Sequence, residues 1–210
     1  MARTILDTSD TARQGSVVAL AGRRVDAHNV RSIRFPPRNA TLVEDKIRKF
    51  FQKGVRVLVC SAACGADLLA LGIAGELGIR RRIILPYTRA LFRETSVVDR
   101  PGDWGERYDG ILNQVERQGG VVILGCKQSD PDAYARTNTA IVDEAIQIAQ
   151  QEGTVAQALI VWNGKSRGST DLTAQFVDHA REKGMPILEV LTLTISPKAG
   201  GVAERRRLPH

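Results

Sequence analysis

Cysteine and histidine are scarce in this 210-residue sequence, with three residues of each. An odd number of cysteines in a chain of otherwise ordinary composition is not a disulfide framework, so we expect reduced thiols at Cys60, Cys64 and Cys126. A structural zinc site needs four convergent ligands, and no histidine lies near Cys60 or Cys64 in the sequence. We therefore expect neither a metal ion nor a cofactor.

Long apolar runs are also missing. No apolar stretch of about 18 residues occurs, which argues against a transmembrane helix. The first segment, MARTILDTSDTARQGS, carries no apolar signal-peptide core. The sequence thus predicts a cytoplasmic protein that does not bind membranes.

Aromatic residues make up only 5% of the chain, although its formal net charge is +7. The positive balance permits attraction to phosphates. Proteins that hold single-stranded nucleic acid usually stack its bases on aromatic side chains, and here aromatics are too few for an obvious stacking platform. Nucleic-acid binding is therefore the less favoured alternative, and most basic residues are interpreted as solvated surface charge.

The sequence does contain a regular alternation of short apolar runs and longer amphipathic runs. The apolar runs are rich in Val, Ile and Leu, as in strands covered on both faces, and they predict strands at Val17–Ala21, Val55–Cys60, Arg82–Leu85, Val121–Leu124, Ala158–Trp162 and Pro186–Val190. The amphipathic runs predict a first helix capped by Asn39 or Thr41 and further helices at Ala66–Leu77, Glu106–Gln118, Ala133–Gln151 and Ser169–Lys183. This alternation predicts a single doubly wound, Rossmann-like α/β domain with a mostly parallel sheet over residues 15–192. We expect residues 1–14 and the basic tail, residues 193–210, to be flexible.

Three of the predicted strand ends are rich in small residues. They are Gly22-Arg23-Arg24, residues 60–67 (CSAACGAD) and residues 163–171 (NGKSRGSTD). Ligands bind to parallel sheets at the carboxyl ends of strands, free N–H groups at a helix start attract anions, and glycine lets a phosphate or ribose approach the main chain. Each loop taken alone is equally consistent with a simple turn, in which Asp67 or Ser169 caps the next helix. Their occurrence at one sheet edge favours a binding site.

The order of these segments resembles that of a known protein family. AGRR follows the first strand, SAACGADLLAL follows the second, ILP closes the third, ARTN precedes VDEA, and WNGKSRGSTDLTAQFVDHAREKGMPI lies near the end. Together they resemble the SMF/DprA–LOG (SLOG) superfamily of Rossmann-like nucleotide-binding proteins over residues 17–190. That superfamily includes cytokinin-activating phosphoribohydrolases, DNA-processing proteins that hold single-stranded DNA, and sensor domains for nucleotide-derived ligands.

The resemblance implies a set of ligand-binding residues in the small-residue loops and the ARTN element. They are Gly22, Arg23, Ser61, Gly65, Ala66, Asp67, Asn138, Gly164, Gly168, Ser169 and Thr170. Within this set, Ser61 and the N–H groups around Gly65 and Ala66 are expected to contact phosphate or ribose. Residues 168–170 are expected to oppose them.

The activity that the resemblance implies depends on one carboxylate. The phosphoribohydrolase branch carries a P-G-G-x-G-T-x-x-E loop whose glutamate helps to cleave the bond between base and ribose phosphate, and Thr173 stands at that position here. We therefore expect binding of a nucleotide or nucleotide-derived ligand, in a sensor or signalling role. The first alternative is a hydrolase that cleaves the N-glycosidic bond of a nucleoside monophosphate, with Asp67 or Asp171 in place of the glutamate; the second is single-stranded nucleic-acid binding. No catalytic residue is assigned.

Residues 87–105 make a long connection for a compact domain, and long loops are often functional. Arg89, Arg93 and Arg100 are expected to close over an anion as a lid, and Trp104 to stack on a base or to pack the loop down. The resemblance also implies a homo-oligomer, which is consistent with apolar residues on more than one face of the helix at 141–149.

Overall fold

The computed structural model describes residues 15–193, which form one six-stranded sheet and six helices. The strands are β1 (Ser16–Gly22), β2 (Val55–Cys60), β3 (Arg80–Leu85), β4 (Val121–Ile123), β5 (Val155–Trp162) and β6 (Ile187–Leu191). The helices are α1 (Ala40–Phe51), α2 (Ala66–Glu76), α3 (Arg89–Ser96), α4 (Trp104–Arg117), α5 (Ala133–Gln151) and α6 (Leu172–Glu182), and a 3-10 turn (Pro37–Asn39) precedes α1.

All neighbouring strands are parallel, in the order β4-β3-β2-β1-β5-β6. The chain builds outward from β1 through β2, β3 and β4, and then returns to place β5 on the other side of β1. The predicted α/β fold with a parallel sheet is thus confirmed. Because the direction of winding changes at β1, the loops that follow β1 and β5 diverge and leave a crevice at their carboxyl ends.

The sequence of β1, SVVALAG, explains its central place in the sheet. Val18 and Leu20 pack into the core on one face, while Val17 and Ala19 pack into the core on the other, and all four side chains are fully buried. Successive side chains of a strand point to opposite faces, so a strand covered on both faces needs a continuous apolar run.

Helices cover both faces of the sheet. Ile47 of α1 and Leu112 of α4 lie in the core of one face, together with most of α2. Val142 of α5 and Phe176 of α6 lie in the core of the opposite face. The apolar residues of α5 at positions 141–149 belong to this second core or pack against it, so burial within one chain accounts for them, and the homo-oligomer stays a prediction.

Most strand and helix ends lie within three residues of the sequence-based prediction, and two differences bear on the site. Residues 87–105 are not one long loop, because they contain α3, which Thr88 caps by accepting the N–H of Leu91 and which buries Phe92. The last helix begins at Leu172 rather than at Ser169. Its cap is Asp171, whose carboxylate accepts the N–H of Thr173 at 3.1 Å.

Within residues 15–193, no helix is both long enough and apolar enough to cross a membrane. The two ends predicted to be flexible were residues 1–14 and residues 193–210, and all of these residues except residue 193 lie outside the described part of the chain.

Candidate ligand-binding site

A cavity of about 480 Å³ opens at the crevice beside the carboxyl end of β1. Its walls come from the end of β1 with residues 23–34, the β2–α2 loop, α3, the first half of α5 and the loop that leads into α6. The volume lies in the range of small-molecule sites in proteins. This cavity, which we call the carboxyl-edge cavity, occupies the position where the sequence predicts a site.

A second cavity, of about 600 Å³, lies at the opposite edge of the sheet beside residues 78–82. Two of its three arginines are paired with carboxylates, Arg80 with Glu152 at 2.6 Å and Arg82 with Glu144 at 2.7 Å, and the third, Arg81, is buried and donates to the Gln114 side chain at 3.2 Å. Its cationic side chains are therefore largely neutralised by the protein itself, and the chemistry of a binding site concentrates at the carboxyl edge.

The strongest polar contact of the carboxyl-edge cavity joins Arg23, just after β1, to Asp171, at the start of α6. Two N–H···O contacts of 2.5 and 2.7 Å link the guanidinium to the carboxylate, and both side chains are buried. Burial alone would raise the pKa of Asp171, but the hydrogen bonds from Arg23 and from the N–H of Arg167 outweigh it and hold that pKa well below its usual range. Asp171 is therefore an ionised structural anchor and not a proton carrier at neutral pH.

Arg23 is also held by oxygen atoms of the β5–α6 loop. Its Nε donates to the Asn163 side chain at 3.3 Å, and its Nη2 donates to the Lys165 carbonyl at 2.8 Å. Most N–H groups of Arg23 are thus engaged within the protein. Arg23, which was predicted from the sequence to bind the ligand, lines the cavity, where it offers a positive charge but few free N–H groups.

The loop CSAACGAD is shaped by another segment of the same chain. Gly65 has φ +98°, and a Cβ atom on it would lie 2.7 Å from the Val25 nitrogen and 2.8 Å from the Arg23 carbonyl oxygen. The Ala66 N–H, which was expected to face a phosphate, donates to the Arg23 carbonyl at 3.2 Å. That expectation is wrong for Ala66, and Gly65 makes room for residues 23–25 rather than for a ligand.

Two side chains of the same loop do face the cavity. Ser61 lines it, and its buried Oγ has no hydrogen-bond partner among the described residues. Asp67 also lines it, with 7% of its surface exposed, and its carboxylate accepts the Ala63 N–H at 3.2 Å. Burial raises the pKa of Asp67 from 3.8 to about 7, although the Ala63 hydrogen bond and the charge of Arg24 oppose the rise. An unpaired hydroxyl and a carboxyl that titrates near neutrality therefore lie on one wall.

The last predicted loop contributes different residues from those expected. Gly164, Gly168, Ser169 and Thr170 are exposed and do not line the cavity. Gly164 and Gly168 have φ values of +73° and +102°, so they serve to turn the chain toward Asp171. The loop reaches the cavity through its neighbours Arg167, Leu172 and Thr173.

Gly22 and Asn138, two of the residues predicted to bind the ligand, line the cavity, and their role in binding stays a prediction. A Cβ atom on Gly22 would lie 2.3 Å from the Ala66 Cβ, so glycine is needed there for the close packing of β1 on α2. The Asn138 amide donates to the Leu172 carbonyl at 2.9 Å and so joins α5 to the start of α6.

The predicted lid residues divide into two groups. Arg89 and Arg93 turn toward α4, where both hydrogen-bond Asp109, and Trp104 is buried with its indole N–H donated to the Pro101 carbonyl at 2.9 Å. These three side chains do not line the cavity, because the two arginines of α3 point toward α4 and the indole of Trp104 is buried in the core. Arg100 does line it.

Sequence reasoning missed a second charge cluster and a hydroxyl cluster at the cavity. Arg24 and Arg100 both hydrogen-bond the Asp99 carboxylate, the latter at 2.7 Å. The Ser96 and Tyr134 hydroxyls, which also belong to residues of the cavity wall, lie 2.8 Å apart. No signal in the sequence pointed to Ser96, because its helix, α3, lies in the segment predicted to be a loop.

No protein-family model and no curated protein sequence matches this chain. Among solved structures, the chain is similar to DNA processing protein A (DprA) from Streptococcus pneumoniae, with 14% sequence identity and a TM-score of 0.37. The match covers 85% of this chain and 60% of that chain, so this chain spans well under two thirds of DprA.

Proposed function

We propose that the carboxyl-edge cavity binds a nucleotide or a nucleotide-derived ligand, and that the protein acts as a sensor or signalling component. The observation that carries the proposal is an excess of guanidinium groups around the cavity. Arg23 and Arg167 share one carboxylate, that of Asp171, and both arginines line the cavity. With two guanidinium groups and one carboxylate, this cluster retains a net positive charge.

The second cluster has the same composition. Arg24 and Arg100 share the carboxylate of Asp99, and both line the cavity. Two acidic residues also contribute to the walls. The Asp26 carboxylate is occupied by two backbone N–H groups, and the raised pKa of Asp67 leaves it partly protonated at neutral pH. The balance favours an anionic ligand such as a phosphate ester.

The rest of the wall suits the uncharged part of a nucleotide. Phe92, Ile141 and Leu20 supply apolar surface, while the hydroxyls of Ser61 and Tyr134 supply hydrogen-bonding groups. A mostly apolar pocket with a few convergent polar groups is the usual design of a small-molecule site. A base and ribose would therefore find both kinds of contact beside the charged clusters.

A thermal-shift screen tests the proposal. Nucleoside mono- and diphosphates are compared with the corresponding nucleosides, and a nucleotide at about 100 times its Kd should raise the melting temperature by about 5–10 °C. Arg100→Gln should reduce the shift, whereas the matched control Arg117→Gln, an exposed arginine of α4 that does not line the cavity, should leave it unchanged. If no nucleotide shifts the wild type, or if both variants respond equally, the proposal is refuted.

A hydrolase is the second candidate, and the position of Asp67 favours it. A carboxyl group that lines a cavity with a pKa near 7 is suited to general acid–base catalysis at neutral pH. Binding without catalysis is preferred because Thr173 stands where the phosphoribohydrolases that this chain resembles carry their glutamate. Incubation with nucleoside monophosphates decides between the two: release of free base that Asp67→Asn abolishes, with binding retained, would establish the hydrolase.

A further inference from the structure

The loop between β1 and the 3-10 turn is closed at its base. The Asp26 N–H donates to the Phe35 carbonyl at 2.8 Å, and the Asp26 carboxylate accepts the N–H groups of Arg34 and Phe35, each at 3.0 Å. Phe35 is fully buried and fixes this base to the core. The backbone of Arg34 is therefore fixed by Asp26, at the start of the loop, and by its neighbour Phe35, at the end of the loop.

A third contact holds Arg34 from the far end of the sheet. The hydroxyl of Thr192, a buried residue just after β6, donates to the Arg34 carbonyl. The Asn39 amide in turn donates to the Thr192 carbonyl at 2.8 Å. The main chain at Arg34 is thus positioned by Asp26, which lines the cavity, and by Thr192, which does not.

The guanidinium of Arg34, in contrast, has no partner. It lines the carboxyl-edge cavity, and among residues 15–193 no carboxylate or carbonyl accepts from it. The other arginines of the cavity wall all hydrogen-bond a carboxylate within 3.3 Å; they are Arg23, Arg24, Arg100 and Arg167. Arg34 is the cation of the described wall whose charge and N–H donors are fully available.

We infer that Arg34 binds the phosphate group of the ligand and selects phosphorylated ligands over unphosphorylated ones. A guanidinium presents a planar pair of N–H donors that matches two oxygens of a phosphate group, and its charge is permanent. A side chain whose backbone is already fixed loses little main-chain freedom when it binds. The choice of a nucleotide as the ligand rests on the proposed function, whereas the anion-binding role of Arg34 can be tested without it.

The test measures the binding of inorganic pyrophosphate by isothermal titration calorimetry to the wild type and to three variants of the full chain. Arg34→Gln should weaken binding by at least about tenfold, because a charge-assisted bidentate contact is lost. Arg34→Lys keeps the positive charge but loses the planar pair of N–H donors, and should weaken binding by a smaller factor. The matched control is Arg31→Gln, an exposed arginine of the same loop that does not line the cavity, and it should change the affinity by less than about twofold. Thermal melting of each unliganded variant confirms that it is folded.

The same titrations are repeated with the nucleotide that stabilises the wild type most. If pyrophosphate binds and Arg34→Gln weakens it but no nucleotide binds, the inference stands and the proposed function falls. If the nucleotide binds to the wild type, and Arg34→Gln and Arg31→Gln bind both probes equally well, the inference is overturned and the proposed function survives. If the wild type binds neither probe, both are overturned.

Discussion

Replacement of Asp67 by Asn should change how the stability of the protein depends on pH. The carboxyl is almost fully buried, its pKa is raised from 3.8 to about 7, and it accepts one backbone N–H, that of Ala63. Asparagine resembles the protonated carboxyl, since it keeps an oxygen for the Ala63 N–H and adds a donor where the acid carries its proton. The variant therefore fixes the folded protein in its low-pH form.

The sign follows from where the proton is held. Between pH 4 and pH 7 the folded protein keeps the Asp67 proton while the unfolded chain releases it, so rising pH stabilises the unfolded chain relative to the folded one. The free energy of unfolding of the wild type therefore falls between pH 4 and pH 7. Above pH 7, Asp67 causes no further fall. The gap between the two pKa values corresponds to about 4 kcal/mol, because each pKa unit is worth about 1.4 kcal/mol. Asp67→Asn should match the wild type near pH 4 and exceed its free energy of unfolding by up to about 4 kcal/mol at pH 8.

Urea unfolding at pH 4 and at pH 8 measures the difference. Asp45→Asn is the matched control, because Asp45 is an exposed residue of α1 and its loss should change stability by less than about 0.5 kcal/mol at either pH. The reasoning about burial is refuted if the free energies of unfolding of Asp67→Asn and the wild type differ by the same amount at both pH values. It is also refuted if they differ by more at pH 4.

Two further predictions concern the frame of the cavity. Asp171→Ala leaves the buried guanidinium of Arg23 without its counter-ion and should lower the free energy of unfolding by about 3–5 kcal/mol at pH 7, as measured by urea unfolding. Because the pKa of Asp171 is lowered, its stabilising effect is present above about pH 4 and is lost in acid, so the difference from the wild type should shrink as the pH falls; a difference independent of pH would contradict this. Gly65→Ala should cost about 2 kcal/mol or more, since its φ is +98° and residues 23–25 occupy the space. The control Gly72→Ala, with open space inside α2, should stabilise the protein by up to about 1 kcal/mol, and equal melting temperatures for the two variants would contradict the steric argument.

The sequence predicted the sheet well because each strand carries its own evidence. β1 is almost continuously apolar and β2 is interrupted only by Arg56, since both faces of these strands are covered, and this is visible in the sequence itself. Helix α3 was missed for the opposite reason. Its eight residues, RALFRETS, bury only Phe92 and Ser96, so the short segment shows little apolar periodicity.

The position of the candidate site was also predictable, but its contacts were not. Small residues at the strand ends pointed to the edge of the sheet where the cavity lies. Whether an N–H group there is free depends on partners that are distant in sequence, such as the Arg23 carbonyl for Ala66 or the Ser96 carbonyl for Cys64. The Asp171 side chain caps α6, and its pairing with Arg23 spans 148 positions, so that pairing leaves no local pattern in the sequence.

The central position of β1 has a consequence for the order in which the fold is completed during synthesis. Its partner on one side, β2, ends at residue 60, whereas its partner on the other side, β5, begins only at residue 155. A growing chain that has made β1 to β4 can pair those strands. The second edge of β1 stays unpaired at that stage, and it includes residues 17–20, which are fully buried in the complete fold. An open apolar edge is a template for pairing with other chains, and contacts across such long separations form slowly. The addition of β5 therefore covers this edge of β1 and, in the same step, brings the loop that follows β5 to the crevice in which the cavity lies.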